Sequence, residues 1–205
     1  PVRVAVLGSG DEARAHIEAL ARLRSIGELR IYSPAPARRE ALARSMGARF
    51  DSSATSTPQS AVAGADVVVA AARSYAEQPI LYADWLSPSA IVASIGSTVP
   101  QQRELDVSVI AASELIVCDE VEEVLGDTGD MIAARGAGIP VADRVASLAD
   151  LLSGRLDRRV ESARTPLFKS VGSALQDVEI AALAFERAKS MGFGSVFPGA
   201  FVTKR

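Results

Sequence analysis

The sequence predicts an α/β fold with a doubly wound, mostly parallel sheet. Short runs rich in β-branched residues alternate with longer stretches whose apolar residues recur at helical spacing, which is typical of strand–helix–strand units. The run at residues 66–70 is almost wholly apolar, as expected for a strand covered by helices on both sides of a sheet. A glycine-containing turn, Gly8-Ser9-Gly10, follows the first strand directly, where such folds join a strand to a helix.

The first half of the chain shows the alternation most clearly. Ala13, Ile17 and Leu20 share one helical face, and Gly27 and Gly47 stand where helices are expected to stop. The predicted elements are a strand at residues 2–7, a helix at 11–26, a strand at 29–32, a helix at 38–46 and a weak strand at 48–50, before a Ser/Thr-rich stretch at 51–60.

The second half continues the pattern. Residues 90–95 form the clearest central strand, and the many alanines of residues 173–190 favour a C-terminal helix that packs closely against another helix. The other predicted elements are a strand at 66–70, a turn at 74–79, a short helix at 80–86, strands at 107–111 and 115–118, a loop or broken helix at 126–138, and a helix at 142–153 followed by Gly154.

Composition narrows the class of protein. The 205 residues are 48% hydrophobic with a formal net charge of −3, which suits a globular domain with a full core. Cys118 is the single cysteine, so no internal disulfide can form, and no apolar run approaches the roughly 18 residues of a membrane span. We therefore expect a cytoplasmic protein without a membrane partner. Because strand-like sequence begins directly after Pro1, we also expect the chain to come from a longer polypeptide.

The distribution of charge argues against a nucleic-acid partner. Residues 51–150 hold 15 acidic and 4 basic residues, so the chain lacks the continuous basic face that such a partner needs.

The turn Gly8-Ser9-Gly10 is a candidate phosphate-binding loop. In dinucleotide-binding, Rossmann-like folds the first glycine makes the tight turn, the second lets the backbone approach the pyrophosphate, and the helix N-terminus supplies N–H donors. Ala13 takes the place of the third glycine. The alternative is an ordinary strand-to-helix turn, and the acidic Asp11 and Glu12 at the helix start would oppose a phosphate.

The end of the second strand bears on the choice of dinucleotide. An acidic residue there would bind the adenosine ribose 2′-hydroxyl of NAD, but this sequence has Ser33, with Arg38 and Arg39 shortly after it. Two guanidinium groups favour a 2′-phosphate, so NADP is predicted in preference to NAD. The alternative is that both arginines are solvated residues on a helix face.

Other chemistry-bearing residues are weaker candidates. His16, the single histidine, lies on the first predicted helix and is a poor general base there. Cys118 falls at a strand end and is best interpreted as a buried structural thiol. No cluster with metal-ligand spacing occurs.

Three sequence segments resemble the ornithine cyclodeaminase and mu-crystallin family. They are the run from Ile95 to Asp106 (IGSTVPQQRELD), Val117-Cys-Asp119 together with Gly129-Asp130, and the run LFKSVGSALQD at residues 167–177. The resemblance implies an NAD(P)-binding Rossmann domain at residues 1–165. It also implies a C-terminal return segment and helix at residues 166–205, which would pack on a substrate-binding and dimerisation region that this chain lacks. Members are therefore expected to be homodimers.

The resemblance also implies roles for individual residues. The residues that match the family's pyrophosphate loop are Gly8, Ser9, Gly10, Asp11 and Glu12. Ser33 matches the position that contacts the ribose, and Ala72 matches a position on the adenosine side. The segment beneath the nicotinamide is matched by Ile95, Gly96, Ser97 and Thr98, and the residues that close over the nicotinamide are matched by Ser170 and Val171.

Two departures from the family pattern bear on the reaction. In the cyclodeaminases the position of Thr98 is an aspartate that assists ammonia loss, and the position of Gln102 is often lysine. A threonine hydroxyl cannot act unaided as a general base. The sequence thus favours an NAD(P)-dependent imino-acid (ketimine) reductase or amino-acid dehydrogenase acting on a small amino or imino acid. The alternatives are a cyclodeaminase with bound NAD and a non-catalytic dinucleotide- or ligand-binding protein. Since the residues that hold the substrate would belong to the missing region, this chain alone is expected to bind dinucleotide without turnover.

Overall fold

The structure, a computed structural model, describes residues 1–72, 78–195 and 199. The chain divides into two compact units, Pro1–Val171 and Gly172–Arg205. Sequence analysis placed the domain boundary after residue 165, whereas a strand at Leu167–Lys169 lies in the sheet of the first unit. Among the described residues, no helix has the length and apolar character needed to cross a bilayer.

The first unit is built on one eight-stranded sheet in which all paired strands are parallel. The strands are β1 (Val2–Leu7), β2 (Ile26–Tyr32), β3 (Asp51–Ala54), β4 (Val67–Ala70), β5 (Ile91–Ser94), β6 (Ile116–Cys118), β7 (Val145–Ser147) and β8 (Leu167–Lys169). Their order in the sheet is β3-β2-β1-β4-β5-β8-β6-β7. The predicted fold class is confirmed, and the strand order reverses direction between β1 and β4, which is where such sheets open a crevice at their carboxyl edge.

Helices connect the strands. They are α1 (Asp11–Leu23), α2 (Pro36–Met46), α3 (Pro58–Val62), α4 (Val107–Ala112), α5 (Val121–Asp127), α6 (Gly129–Gly136), α7 (Leu148–Leu152) and α8 (Asp157–Ser162), with α9 (Ala174–Ser190) in the second unit. Single 3-10 turns lie at Ala83–Trp85 and Ala142–Arg144.

The core lies on both faces of the sheet because alternate residues of each strand point in opposite directions. On β1, Ala5 and Leu7 enter the larger apolar cluster, and Val4 and Val6 enter the second one beneath α1 and α2. All four side chains are buried. Both faces of the sheet are therefore covered at β1, and the polar groups near this strand lie at its end.

Two predictions for the first half were wrong. The helix predicted to reach residue 26 ends at Leu23, and Gly27 lies inside β2 rather than at a helix end. A Cβ on Gly27 would lie only 2.9 Å from the Cβ of Pro1, so glycine here permits close approach of the chain start. The third strand occupies Asp51–Ala54, within the Ser/Thr-rich stretch, and not residues 48–50. As the edge strand it pairs with β2 alone, and its largely exposed position suits polar residues.

The second half also departs from prediction. Residues 107–112 form a helix rather than a strand, because Asp106 caps it by accepting the Ser108 N–H (2.9 Å) and the apolar Val109 and Ile110 both point into the core. Short apolar runs do not distinguish a strand from a buried helix.

The region predicted as a helix at residues 142–153 holds a 3-10 turn, β7 and α7 in succession. The short helix predicted at residues 80–86 is a 3-10 turn next to an isolated parallel bridge between Leu81 and Leu105. Most of the turn predicted at residues 74–79 lies outside the described residues.

In the second unit, α9 confirms the predicted C-terminal helix. Ser173 caps it by accepting the Gln176 N–H (3.3 Å). None of its side chains is buried, and its exposed apolar residues include Leu175, Val178 and Phe185.

Candidate functional site

The glycine loop lies at the carboxyl edge of the sheet, at the switch point between β1 and β4. Gly8 donates its N–H to the Tyr32 carbonyl at the end of β2 (2.8 Å) and has a φ of +144°. A Cβ at this position would lie 2.5 Å from the carbonyl oxygen of Ala71, just after β4. Both the backbone conformation and the close approach to β4 therefore require glycine at this position.

Gly10 has a different environment. It is the N-cap of α1 with an extended backbone, and a Cβ there would meet no heavy atom within 4 Å. No side chain caps the helix, so the N–H groups of its first turn face the opening as donors. Asp11 and Glu12 occupy that turn but are exposed. The cradle above Gly10 thus fits an anionic group such as a pyrophosphate.

A pair of hydroxyl groups lies next to the glycine loop. Ser9 Oγ donates to Ser33 Oγ (3.0 Å), and Ser33 Oγ donates to the Ala35 carbonyl (3.3 Å). Ser33 is 5% exposed at the end of β2. Arg39 is not simply a solvated residue, because its Nη1 donates to the Ser33 carbonyl (2.9 Å), whereas Arg38 is exposed.

On the other side of the switch point, the Glu104 carboxylate is fully buried and accepts four donors. Its Oε1 accepts the Ala72 N–H (2.6 Å) after β4. Its Oε2 accepts the Ser94 hydroxyl (3.0 Å) and the N–H groups of Gly96 (2.9 Å) and Ser97 (3.2 Å) after β5. A Cβ on Gly96 would lie 2.9 Å from Glu104 Cδ, so this glycine makes room for the carboxylate.

A buried ion pair supports Glu104. Lys169 on β8 lies 2.9 Å from Asp130 Oδ2, with both side chains fully shielded from solvent. Lys169 Nζ also donates to Ser94 Oγ (2.9 Å) and to the Ser97 carbonyl (2.8 Å). Burial raises the pKa of the Glu104 carboxyl above its usual range; Lys169 opposes this rise, and the nearby Asp130 carboxylate adds to it. The network therefore places two carboxyl groups against one ammonium group in the interior.

Thr98 is the next residue in the chain after Ser97, which belongs to this network. Its N–H donates to Gln102 Oε1 (3.1 Å), and Ser97 Oγ donates to the Gln102 carbonyl (2.6 Å). Gln102 is 4% exposed. The side-chain carbonyl of Gln102 therefore fixes the backbone at Thr98, and the segment of residues 95–98 carries no ionisable side chain.

The loop after β8 is anchored by Asp119. Ser170 Oγ donates to Asp119 Oδ2 (2.6 Å), and the Val171 N–H lies 3.1 Å from Asp119 Oδ1. The Ser170 N–H donates to the Ser94 carbonyl (3.0 Å), which ties this loop to β5. The residues predicted from β1, β2, β4, β5 and β8 thus share one edge of the sheet.

A family model confirms the predicted resemblance. The model described as "Ornithine cyclodeaminase/mu-crystallin family" matches residues 2–192. The chain belongs to this family. Members similar to it include a putative dehydrogenase of Rhizobium meliloti, 33% identical over 197 residues that cover 94% of this chain and 58% of that protein. The ketimine reductase mu-crystallin of Mus musculus is 31% identical, over 88% of this chain and 54% of that protein.

A solved structure is similar over most of the chain. The Delta(1)-pyrroline-2-carboxylate reductase of Thermococcus litoralis, determined with NADH and L-proline, has a TM-score of 0.88 and 27% identity. The match covers 96% of this chain and 61% of that one. The chain thus spans less than two thirds of the length of these family members.

Sequence analysis assigned no role to Glu104, Asp130 or Lys169, although all three lie in the segments that resemble the family. One signal was available: Lys169 is a charged residue between the apolar Leu167-Phe168 and Val171, at the end of a strand-like run. A lysine in such a position needs a buried partner.

The weaker candidates stay outside this site. His16 Nδ1 lies 2.9 Å from the Glu12 carbonyl on the outer part of α1. Among the described residues, no group of His, Cys, Asp and Glu side chains could hold a metal ion. Cys118 is buried, as predicted, and burial together with the Asp119 charge raises the pKa of its thiol to about 12.

The environment of Cys118 leads to a testable expectation. In the native protein at pH 8, the thiol should not react with a disulfide reagent such as DTNB, because the thiolate is scarcely populated and the side chain is shielded. In urea the same thiol should react at the rate of a free cysteine. Stoichiometric reaction of native protein within minutes would contradict the buried position.

Proposed function

We propose that this chain supplies the dinucleotide-binding site of an NAD(P)-dependent oxidoreductase that reduces an imino acid or, in reverse, oxidises an amino acid. The observation that carries the proposal is the cradle above Gly10, an uncapped helix N-terminus with open space at the switch point of the sheet.

The arrangement of strand ends suggests how the dinucleotide would lie. The pyrophosphate would occupy the cradle above Gly10, and the adenosine ribose would lie toward Ser33 on the β2 side. The nicotinamide half would then lie across β4 and β5, near residues 95–98, with Ser170 and Val171 beside it. Because Glu104 ties the Ala72 N–H to the loop after β5, we place Ala72 on this side too, although the family resemblance implied that it borders the adenosine. When bound, NADPH or NADH supplies hydride to the carbon of a C=N bond. The chain's own residues hold and orient the dinucleotide.

Relatives include both reductases and proteins named as cyclodeaminases, and we propose the reductase. The mouse relative is named ketimine reductase mu-crystallin, and the Thermococcus relative is a pyrroline-2-carboxylate reductase seen with NADH and L-proline. Thr98 supports the same choice, since its hydroxyl can orient a bound group but cannot serve unaided as a general base.

The preference for NADP is a finer part of the proposal. The Ser33 side chain accepts and donates hydrogen bonds without a negative charge, so it does not repel a 2′-phosphate. Arg38 lies exposed near the start of α2, and Arg39 is already bonded to the Ser33 carbonyl. We therefore assign the 2′-phosphate contact mainly to Arg38.

We also propose that the working protein is a cytoplasmic homodimer. Of the predicted return segment and helix at residues 166–205, the part after β8, which carries α9, would pack on a substrate-binding and dimerisation region. The exposed apolar side chains of α9, including Leu175, Leu183 and Phe185, support a packed role for this helix.

Replacing Gly10 by valine tests the cradle. The side chain would meet no protein atom, so Gly10→Val should fold normally yet fill the space of the pyrophosphate. We expect dissociation constants for NADH and NADPH to rise by at least about tenfold, or ~1.4 kcal/mol, in calorimetric titration. Gly126→Val, at another exposed glycine with open space, is the matched control and should bind like the parent chain. Unchanged binding by a folded Gly10→Val variant would refute the assigned site.

Replacing Arg38 by alanine tests the dinucleotide preference. The parent chain should bind NADPH more tightly than NADH, and Arg38→Ala should reduce that ratio by about tenfold because a charge-assisted hydrogen bond contributes roughly 1.5–3 kcal/mol. Arg44→Ala removes an exposed arginine from the far end of the same helix and should leave the ratio unchanged. If the parent chain binds both dinucleotides equally, the preference is wrong.

The reaction itself is tested on the full-length protein. With a cyclic ketimine acid such as Δ1-pyrroline-2-carboxylate, NAD(P)H should be consumed stoichiometrically, seen as loss of its absorbance. A cyclodeaminase would instead release ammonia from ornithine with no net change in the dinucleotide, and a non-catalytic binding protein would do neither. Thr98→Asp should not create cyclodeaminase activity, because a base acts only within hydrogen-bond reach of its proton. Ammonia release from ornithine by the unmodified protein would favour the cyclodeaminase.

A further inference from the structure

Side chains from outside the segment bind four of the six backbone N–H and C=O groups of residues 96–98. Glu104 accepts the N–H groups of Gly96 and Ser97, Gln102 accepts the N–H of Thr98, and Lys169 donates to the carbonyl of Ser97. Gln102, Glu104 and Lys169 are all at least nine-tenths shielded from solvent. The segment is thus held by buried side chains; Gly96 and Ser97 are themselves buried, and Thr98 is partly exposed.

The same network joins two different loops. Glu104 Oε1 accepts the Ala72 N–H after β4, whereas Oε2 serves the loop after β5. Ser94 Oγ connects the charged groups, since it accepts from Lys169 and donates to Glu104. Asp130 completes the network by pairing with Lys169 and by accepting the N–H of Glu104 (2.9 Å), which fixes the backbone that carries the carboxylate.

A gain in folding stability does not by itself explain why these charged residues are buried together. Taking charges out of water is costly, and apolar side chains of similar size often give equal or greater stability than a buried ion pair. What hydrogen-bonded charges do provide is a single backbone geometry, because any shift leaves a buried charge without its partner.

The network lies on one side of the switch point only. On the β1–β2 side the loops are joined by the neutral hydroxyls of Ser9 and Ser33. On the β4–β5 side they are joined by Glu104, Lys169 and Asp130. A dinucleotide whose pyrophosphate occupies the cradle above Gly10 places its adenosine over the first side and its second nucleotide over the other.

We propose that Glu104, Lys169 and Asp130 are positioning residues that hold Ala72 and residues 96–98 in the geometry that receives the nicotinamide half of the dinucleotide. They act through the backbone without touching the ligand. This inference rests on the proposed function and adds that different residues fix the adenosine side and the nicotinamide side of the site.

The two halves of the dinucleotide can be tested separately. ADP-ribose contains the adenosine, the pyrophosphate and the second ribose but no nicotinamide, so its binding depends on Gly10 and Ser33. Loosening residues 96–98 should weaken NADH and NADPH and leave ADP-ribose nearly unchanged. A network that served folding alone would weaken all three ligands together or none of them.

The experiment compares three variants of the parent chain. Glu104→Gln removes one charge at constant shape. Lys169→Met with Asp130→Asn removes the ion pair and leaves Glu104 as the one ionisable side chain of the network. Ser94→Ala removes only the shared hydroxyl and is the mildest change, which keeps the test open if a charge variant fails to fold. Leu156→Ala is the control for general loss of stability, since Leu156 packs in a separate apolar cluster with Leu115 and Val117.

Dissociation constants for NADPH, NADH and ADP-ribose are measured by calorimetry on variants whose circular dichroism is native. We expect about a tenfold loss of affinity for both dinucleotides in the charge variants and about threefold in Ser94→Ala, with ADP-ribose changed less than twofold. The control should bind all three ligands like the parent chain.

Two outcomes would overturn the inference. If the parent chain binds all three ligands and each folded variant loses ADP-ribose and dinucleotide affinity equally, or loses neither, the network has no selective positioning role and the proposed function stands. If the parent chain binds none of the three ligands, both the proposed function and the inference are wrong.

Discussion

The carboxyl edge of the sheet is organised around the ion pair of Lys169 and Asp130. Lys169 ends a strand that lies between β5 and β6, so its ammonium group is enclosed by neighbouring strand ends and has no route to water. Such a charge is tolerated only when it is paired and hydrogen-bonded. Lys169 donates to Ser94 Oγ and to the Ser97 carbonyl, and Asp130 is its counter-ion, so the positions of these three groups are tied to the ammonium group. Glu104 adds a second carboxylate, which in turn fixes Ala72 and Gly96.

The crevice is consequently asymmetric. The side near β2 is held by the hydroxyl groups of Ser9 and Ser33 and by the Arg39 bond to the Ser33 carbonyl. The side near β5 is held by buried charges. This difference matches the demands that a hydride-transferring site would impose, because the adenosine end requires only affinity while the reacting ring must be oriented closely.

Local patterns in the sequence were enough to predict β1, α2, α9 and the glycine loop. Each depends on neighbours in the chain: apolar alternation, a stop at Gly47, or a turn between strand and helix. The role of Gly27 was predicted wrongly, because the sequence does not distinguish a glycine that lets Pro1 approach closely from a glycine that ends a helix. The buried network could not be derived in this way, since Lys169 and Ser94 are separated by 75 positions and meet only through the order of the strands. The apolar neighbours of Lys169 signalled a buried charge but not its partner.

The geometry around Thr98 bears on two tasks of the proposed reaction, which are orienting a bound ring and transferring a proton. The backbone at residues 96–98 is fixed, and Gln102 uses its side-chain carbonyl to hold Thr98. A family member with lysine at that position would have no acceptor for this N–H, so the loop itself would need different support. Because residues 95–98 carry no ionisable side chain, this segment can orient a bound ring but holds no group that acts unaided as a general base. Reduction of an imine that arrives protonated requires only the first of these tasks, whereas ammonia loss with ring closure requires both.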